Sequence, residues 1–557
     1  MLNPDLEQRL TMTNPKEVVV CTSGGKGPSV PDGVRDQIQR FLRESEDCGR
    51  VEELPESSFV GCGLQDEVLS SQAPNSPEQV LSKDHDSTTG LAEIWAGLDS
   101  LTIQAFNGLH AYLTEFGIER SLILSTKVRH FSACTVGGHM RLPALTVRNL
   151  DLFQFKKSLS TKTLFGLIDK TSTRFGRRKL KDWVSRPLTD PVQISGRQDA
   201  VDYLIRNPDV LKGCNNILKW LPDLELALMS VLNLKIRLRD FCRTVVTLDN
   251  VSEKLARLWK EQKEISDTPL PALIEETLSS ILRCFARNKA VLSQINTDLA
   301  RHSNSASAAE DRDDHLKVLK SWTAHPDVCT RIQEISVLEE GLEAHKKSIC
   351  RSLGLMAFKY STVSDMEYLV EVKVRDAKSV PGSWTKVSAT KQVVRYRTDF
   401  INETLPKLQY ARERLADACK IAWKEFLKSN LDSFRVVAVG VASLAKLDAL
   451  LGMAQVSSTA GFCRPIFNNE GEFTVREGRN LVVESAICGD PDRQYVTNDV
   501  DLGGGGNGRA LVLTGPNMGG KSCYIRQLAM IAIMGQTGFY VPAASSNQPI
   551  FDGVYLR

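Results

Sequence analysis

The sequence predicts a multidomain, mainly α-helical protein that carries a small inserted β module and ends in part of an α/β domain. Three observations predict this fold class. Apolar residues recur at helical spacing from about Leu91 to Leu355, the period changes to two near Tyr360, and a glycine-rich loop follows a β-prone run that begins at Arg509. A chain of 557 residues has room for about three or four domains.

The charge balance excludes a polycation of the histone type, because 70 basic residues face 67 acidic ones and the net charge is +3. Contacts with nucleic acid would therefore depend on local basic patches. We find no run that approaches the roughly 18 apolar residues of a membrane span, and the polar start shows no secretory or transit signal. The 13 cysteines include no C-x-x-C pair, which favours reduced core thiols in an intracellular protein.

Residues 1–89 predict part of an α/β domain followed by a linker. Glu17–Val20 is β-prone, and a helix with one apolar face is expected from Asp32 to Arg43. The stretch from Ser70 to Gly90 is rich in Ser, Pro, Asn and Asp, as is typical of a linker.

Residues 90–355 predict a helical domain. The side chains of residues 169–173 can cap a helix that begins near Arg174. The basic cluster Arg177-Arg178-Lys179 is compatible with a nuclear-localisation signal or a nucleic-acid contact. We favour the simpler interpretation that it is one charged face of a packed helix.

A β module is expected at residues 356–400, and helical spacing resumes over residues 401–460. Between Val372 and Thr398 the only acid is Asp376. The basic residues of this stretch are Lys373, Arg375, Lys378, Lys386, Lys391, Arg395 and Arg397. A compact sheet with this charge is suited to binding a phosphate backbone, and a solvated charged face is an equal alternative.

The sharpest motif is Gly515-Pro516-Asn517-Met518-Gly519-Gly520-Lys521-Ser522, which fits the Walker A pattern G-x-x-x-x-G-K-[ST]. Residues 509–514 before it are expected to form a buried strand, and an apolar helix follows. Glycines let backbone N–H groups converge on phosphate oxygens, and the helix N-terminus adds its positive dipole end. Lys521 would reach the β- and γ-phosphates, and Ser522 would ligate Mg²⁺. The motif therefore predicts nucleotide binding.

Hydrolysis would require further carboxylates, one for Mg²⁺ and one that positions the attacking water. Asp552 is the single acid after Lys521. Its Asp-Gly pair is typical of a turn, and we favour that interpretation over a metal-binding aspartate. We therefore expect the catalytic half of such a domain to be missing from this sequence.

Several segments resemble the MutS family of DNA mismatch-repair proteins. TGPNMGGKS followed by YIRQLAMIAIMGQTGFYVPA is similar to the nucleotide-binding domain of the family. LPALTVRNLDLFQ, LFGLIDKTSTRFGRRKLKDWVSRPL, IxxRQDAVDYL and SLAKLDALLGMA resemble its core helical segments in order. GFCRPIF, QYVTNDVDL and QVVRYRTDFI are most similar to the eukaryotic branch that recognises insertion–deletion loops together with the second MutS homologue.

The resemblance implies DNA mismatch repair by an ATP-dependent subunit that binds mismatched or looped DNA. The implied domains are a connector-like remnant with linker (1–89), a helical core and lever (90–355), a DNA clamp (356–400), returning lever helices (401–460) and the first part of an ABC-type P-loop ATPase domain (461–557). The nucleotide state would bias closure of the clamp through the helices. Further implications are heterodimerisation with the second eukaryotic MutS homologue, downstream MutL-type proteins and a nuclear location.

The resemblance also implies roles for particular residues. Lys386, Lys391, Arg395 and Arg397 would contact DNA. Tyr495 and Val496 would pack against the adenine of ATP, and Asn517 would lie close to the γ-phosphate.

An alternative function remains open. The mismatch-reading domain and the Walker B and signature segments of the family have no counterpart in this sequence. A truncated ATP-binding or interaction protein could keep the clamp and the phosphate loop without hydrolysing ATP. The helical arm with a β tip disfavours a third alternative, an unrelated P-loop kinase or motor.

Overall fold

The computed structural model describes residues 6, 9–10, 15–22, 32–44, 49–60, 99–119, 138–153, 163–265, 269–295, 325–354, 356, 358–363, 366–487, 495–503, 508–517 and 519–556. The predicted linker at Ser70–Gly90 and the side chain of Met518 lie outside these residues.

Helices dominate the described chain. They are α1 (Asp32–Glu44), α2 (Ser57–Val60), α3 (Ser100–Glu115), α4 (Ala144–Asn149), α5 (Leu164–Ile168), α6 (Arg174–Ser185), α7 (Pro191–Arg206), α8 (Pro208–Leu218), α9 (Leu224–Leu232), α10 (Leu238–Ile265), α11 (Ala272–Ala286), α12 (Asn288–Leu292), α13 (Pro326–Leu353), α14 (Asp399–Ser429), α15 (Leu431–Ser457), α16 (Leu481–Ile487) and α17 (Lys521–Thr537). The strands are β1 (Glu17–Thr22), β2 (Arg50–Pro55), β3 (Ser361–Val363), β4 (Met366–Lys373), β5 (Thr385–Ala389), β6 (Val393–Arg397), β7 (Ile466–Asn468), β8 (Phe473–Gly478), β9 (Asn498–Leu502) and β10 (Ser545–Pro549). A 3₁₀ helix spans Val374–Ser379.

The chain divides into two compact units, residues 1–289 with 433–557 and residues 290–432. At the start of the first unit, β1 and β2 pair in parallel. Ile38, Phe41 and Leu42 of α1 pack with Val20 of β1. The predicted strand at Glu17–Val20 and the predicted helix from Asp32 are confirmed.

Capping chemistry sets the start of the central helices of the first unit. The Thr173 hydroxyl accepts a hydrogen bond from the Gly176 amide at 2.9 Å, so that α6 begins at Arg174 as predicted. Asp190 caps α7 in the same way, with Pro191 in the first turn. Phe241 and Phe434 meet edge to face in the core, with ring centroids 5.5 Å apart.

Helix α15 passes through the core of the first unit. Among the described residues it alone is long and apolar enough to cross a membrane, with a mean hydropathy of 1.8 over its most apolar window. The expectation that no run approaches this length is therefore corrected, because this window holds at most two charged residues. Of the same window, 72% is buried within the protein, so its apolar surface is already covered.

A four-stranded sheet with the order β7-β10-β8-β9 follows α15 in the same unit. Strand β10 is parallel to β7 and antiparallel to β8. The C-terminal end of α17 is tied to the helical core by two buried side chains. Arg197 of α7 donates to the Thr537 carbonyl at 2.9 Å, and Gln536 donates to the Leu188 carbonyl at 2.7 Å.

The second unit contains two long helices, α13 and α14, and a sheet with the order β3-β4-β6-β5. Leu342 and Ile349 of α13, Val370 of β4 and Ile401 and Leu408 of α14 form one buried cluster. The predicted period-two strands and the long helix after them are confirmed. Val374 continues the sequence alternation of Val370 and Val372, which predicts that it shares their apolar face, but it begins the 3₁₀ helix and is exposed.

Candidate nucleotide-binding and nucleic-acid-binding sites

The glycine-rich loop leads directly into α17. Gly520 immediately precedes the helix with φ = 88°, a left-handed conformation that glycine adopts without steric cost. Among the described residues no side chain caps this helix, so its first-turn N–H groups remain available. Such groups together with the dipole of the helix suit an anion. The loop therefore fits a phosphate group.

Lys521 and Ser522 follow the loop and are the first two residues of α17. The Lys521 ammonium donates to the carbonyls of Gly515 and of Pro516, the second at 2.8 Å. It would have to exchange these partners for phosphate oxygens on binding. Ser522 is exposed, and Asn517 is exposed in the loop before it. The hydroxyl of Ser522 is thus accessible to a Mg²⁺ ion that phosphate oxygens also hold.

The segment before the loop corrects one sequence prediction. Residues 509–514 form no strand and are exposed, with Val512 at 90% of its full accessible surface. A parallel strand needs hydrogen-bonded neighbours, and none of the described strands pairs with this segment. An apolar sequence of this kind forms a strand only when such neighbours are present.

The hydroxyl group of Tyr495 contacts α17. That hydroxyl accepts from the Asn480 amide at 2.9 Å and donates to Gln527 Oε1 at 2.9 Å. Burial raises the pKa of Tyr495, which keeps the phenol protonated at neutral pH. Val496, its predicted companion, is 77% exposed. The structure thus brings Tyr495 to the helix that begins at the phosphate loop.

Sequence reasoning missed two polar residues of this region, Asn480 and Gln527. The Asn480 carbonyl oxygen Oδ1 accepts from the Val482 and Val483 amides and so begins α16, while its Nδ2 donates to the Cys523 carbonyl at 3.1 Å. The asparagine before an apolar helical run was a readable N-cap signal. Nothing in the sequence marked Gln527 as a buried residue of α17.

The described residues contain no group of three His, Cys, Asp or Glu side chains that could hold an ion. Asp552 is exposed in a bend, and its carbonyl accepts from the Arg141 amide at 2.8 Å. Asp552 thus lies in a bend beside the bridge between Gly553 and Arg141, and its interpretation as a turn residue stays a prediction.

The sheet β3-β4-β6-β5 of the second unit, called the basic sheet below, carries the four candidate DNA contacts. These four residues are of two kinds. Lys386 and Lys391 are exposed. Arg395 pairs with Glu371 on the neighbouring strand at 2.7 Å, and Arg397 donates to the Glu367 carbonyl at 3.0 Å. The sequence count of a single acid thus underestimated the negative charge of the sheet, because β4 places Glu371 opposite Arg395.

The cluster at residues 177–179 is structural, as favoured from the sequence. Arg178 donates to Asp223 and Glu225, Arg177 pairs with Asp169, and Lys179 pairs with Asp182. These carboxylates neutralise the charge of the cluster. None of the nine described cysteines forms a disulfide.

Comparison with known families decides the affiliation. The model of MutS domain III matches residues 145–454, more than half of the chain, and that of MutS domain V matches residues 511–557. The chain belongs to the MutS family. The resemblance stated from the motifs is therefore confirmed.

Individual MutS relatives agree with this assignment. The chain is 31% identical over 463 residues to the DNA mismatch repair protein Msh3 of Mus musculus, which is 83% of this chain and 40% of that protein. It is 31% identical over 514 residues to msh3 of Aspergillus oryzae, or 91% of this chain and 44% of that protein. It is 30% identical over 568 residues to MSH3 of Chaetomium globosum, which is 99% of this chain and 46% of that protein. The chain thus spans less than half the length of these curated relatives.

The two MutS matches divide the candidate sites between them. The basic sheet falls within the MutS domain III match, and the phosphate loop falls within the MutS domain V match. Asn480 and Tyr495 lie between the two matches, so neither family model assigns them to a domain.

Proposed function

We propose that this chain acts in DNA mismatch repair as an ATP-binding subunit that grips looped or mismatched DNA. The observation that carries the proposal is the loop at Gly515–Ser522, which opens on α17 through a left-handed glycine within a MutS domain V match. Lys521 would bind the β- and γ-phosphates of ATP, Ser522 would hold Mg²⁺, and Tyr495 would stack on the adenine. Mg²⁺ would neutralise phosphate charge when bound. The fold of residues 461–557 is proposed to be the first part of an ABC-type P-loop domain.

The basic sheet supports the DNA contact. Lys386 and Lys391 are exposed and can exchange solvent for phosphate oxygens, whereas the charges of Arg395 and Arg397 are directed to the sheet itself. We infer that the two lysines provide most of the electrostatic contact. Lysine ammonium groups suit phosphate oxygens, and phosphate contacts would position the duplex without reading its sequence.

The proposed partners follow from the MutS family. The chain would form a heterodimer with the second eukaryotic MutS homologue, communicate with MutL-type proteins and work in the nucleus. Mismatched DNA is a proposed substrate because the relatives named above are DNA mismatch repair proteins. Looped DNA is proposed because the motifs most resemble the branch that recognises insertion–deletion loops.

A binding experiment tests the nucleotide site. We expect the chain to bind Mg·ATP in isothermal titration calorimetry, and we expect Lys521→Ala to abolish that binding. Arg526→Ala removes a cation from the same helix, where it pairs with Asp151, and serves as the matched control with unchanged affinity. Equal binding by wild type and Lys521→Ala would disprove the phosphate-loop assignment.

A second candidate function is ATP binding without hydrolysis. The Walker A motif by itself supports this function, because phosphate binding needs only the loop, whereas hydrolysis also needs carboxylates. Phosphate release distinguishes the two functions. The chain, mixed with the second MutS homologue and a duplex carrying an unpaired loop, should release phosphate faster than the homologue alone under the first function only.

A further inference from the structure

Gln527 is a fully buried amide in the helix that starts at the phosphate loop. It lies six residues after Lys521, or about 9 Å along the helix axis. Its Oε1 accepts from the Tyr495 hydroxyl at 2.9 Å and from Asn498 Nδ2 at 3.4 Å. Its Nε2 donates to the Asn498 carbonyl at 3.5 Å. One side chain therefore joins α17 to the start of β9 and to the tip of the Tyr495 ring.

Gly478 at the end of β8 allows this arrangement. A Cβ atom at this position would lie 2.5 Å from Gln527 Nε2, closer than real contacts permit. A residue with a Cβ atom would require the Gln527 amide group to shift. The backbone of β8 thus leaves a space that the Gln527 side chain fills.

The Tyr495 side chain is half-buried, and protein groups hold its hydroxyl. Gln527 accepts from this hydroxyl, the Asn480 amide donates to it, and the Asn498 side chain also interacts with it. The Asn480 amide belongs to the backbone, and Asn498 is itself hydrogen-bonded to Gln527. Gln527 is therefore the side chain that links the groups around the Tyr495 oxygen and so sets the orientation of the ring.

We propose that Gln527 is a positioning residue for the base of the bound nucleotide. It acts through Tyr495, which it holds in the orientation that stacks on adenine, and it does not itself contact the nucleotide. The inference rests on the proposed ATP-binding function and deepens it. It assigns the base contact to the Gln527–Tyr495 pair and leaves the phosphate contact to the loop.

A comparison of two ligands separates the two contacts. Mg·ATP carries a base and phosphates, whereas Mg·tripolyphosphate carries phosphates alone. We expect Gln527→Leu to weaken ATP binding by about five- to tenfold, the range for one lost hydrogen bond, and to leave tripolyphosphate binding unchanged. Tyr495→Phe keeps the ring but removes the hydroxyl, and it should reproduce the loss. The double variant should show no further loss, because both substitutions break the same bond.

Gln536→Leu is the matched control. Gln536 is also fully buried in α17, but it bonds to Leu188 and Phe551 and not to Tyr495. We expect it to lower thermal stability while the ratio of ATP to tripolyphosphate affinity stays at the wild-type value. Tyr495→Phe is a mild change at a half-buried site, so it keeps the test available should Gln527→Leu fail to fold.

The outcomes separate this inference from the function on which it rests. Equal losses of ATP and tripolyphosphate affinity in Gln527→Leu would overturn it, as would an equal change of the affinity ratio in Gln536→Leu. Wild-type chain that binds both ligands with the same affinity has no base contact, which overturns the inference and leaves the phosphate loop intact. Wild-type chain that binds neither ligand overturns the proposed nucleotide site itself.

Discussion

The carboxylate of Asp448 in α15 lies 2.6 Å from the hydroxyl of Thr173, the residue that caps α6. The same carboxylate accepts from the backbone amides of Ser172 and Thr173, each at 2.9 Å. Asp448 is fully buried. Because these donors stand at a helix N-terminus, the dipole of α6 also favours the negative charge. A contact across 275 positions thus joins two core helices of the first unit.

Replacing Asp448 by Asn should destabilise the protein by about 3 kcal/mol, because an amide cannot accept from all three donors and leaves buried N–H groups unpaired. The free energy of unfolding, from urea titration followed by circular dichroism, measures this loss. Lys446→Ala, two positions before Asp448, is the control and should cost less than about 1 kcal/mol. Leu447→Ala would not serve as a control, because it opens a cavity.

The same pair predicts a pH dependence. Burial raises the pKa of Asp448 above its ordinary value, and the hydrogen bonds to Thr173 and Ser172 oppose that rise. The folded state therefore binds a proton at higher pH than the unfolded chain, and this group lowers stability as pH rises between the two pKa values. The advantage of wild type over Asp448→Asn should grow as pH falls through that window. A shrinking advantage would contradict the direction of the shift.

Gly176→Ala should destabilise the first unit by about 2 kcal/mol, because the new Cβ would overlap the Asp448 carboxylate. Gly196→Ala is the matched control. Gly196 also lies in a helix, and an added Cβ meets nothing within 4 Å. Alanine there should stabilise by about 0.5–1 kcal/mol through helix propensity. Opposite shifts of the melting temperature in the two variants are expected, and shifts of the same sign would contradict the close packing at Gly176.

Arg197→Met should lower the free energy of unfolding by about 2–3 kcal/mol. The buried guanidinium donates to the Thr537 carbonyl at the end of α17 and lies 3.9 Å from the centroid of the Trp183 ring. Methionine keeps apolar contact but loses both interactions. Arg464→Met removes a largely exposed ion pair with Asp199 and should cost only about 0.5 kcal/mol in the same urea titration. Similar losses in both variants would show that burial at Arg197 adds nothing.

Reversal of the charge at Lys386 and Lys391 of the basic sheet, by Lys386→Glu with Lys391→Glu, should weaken binding to duplex DNA and make it less sensitive to salt. Each lost phosphate contact lowers the slope of log K against log salt by about 0.9. Lys420→Glu with Lys424→Glu changes the net charge equally at exposed positions of α14 outside the sheet, and it should leave the slope unchanged. Fluorescence anisotropy over a salt series measures both variants. If the double variant of Lys386 and Lys391 has the same slope of log K against log salt as wild type, the basic sheet is only a solvated charged face.

Cys214 and Cys242 should resist alkylation in the folded protein. Both are buried, and burial raises the pKa of each thiol to about 12, so that almost no thiolate is present at neutral pH. Mass spectrometry after iodoacetamide treatment should find both unmodified in buffer and both modified in urea. Native labelling of either one would show that the helical core opens locally.

Local sequence signals predicted the elements well where a short-range rule controls them. The Thr173 cap fixed the start of α6, and the alternation of apolar residues fixed β4 and β6. The strand expected at residues 509–514 was wrong, because strand formation depends on neighbours that the local sequence does not contain. The burial of α15 was likewise invisible to a count of apolar runs.

The candidate sites show the same division. The glycine-rich loop could be predicted from the spacing of its residues. The left-handed conformation of Gly520 before α17 depends only on the residue at that position. The separation of Lys386 and Lys391 from the paired Arg395 could not be read, because Glu371 reaches Arg395 only across paired strands. The position of Gln527 behind Tyr495 also depends on three segments that meet in space.

The sequence by itself determined the family, the glycine-rich loop and the helical and β segments, because capping, periodicity and motif spacing act over a few neighbouring residues. The tertiary structure alone decided which charges are free, which polar groups are buried and which side chain holds Tyr495. Those properties depend on contacts between residues far apart in the chain, where desolvation and hydrogen bonding act together.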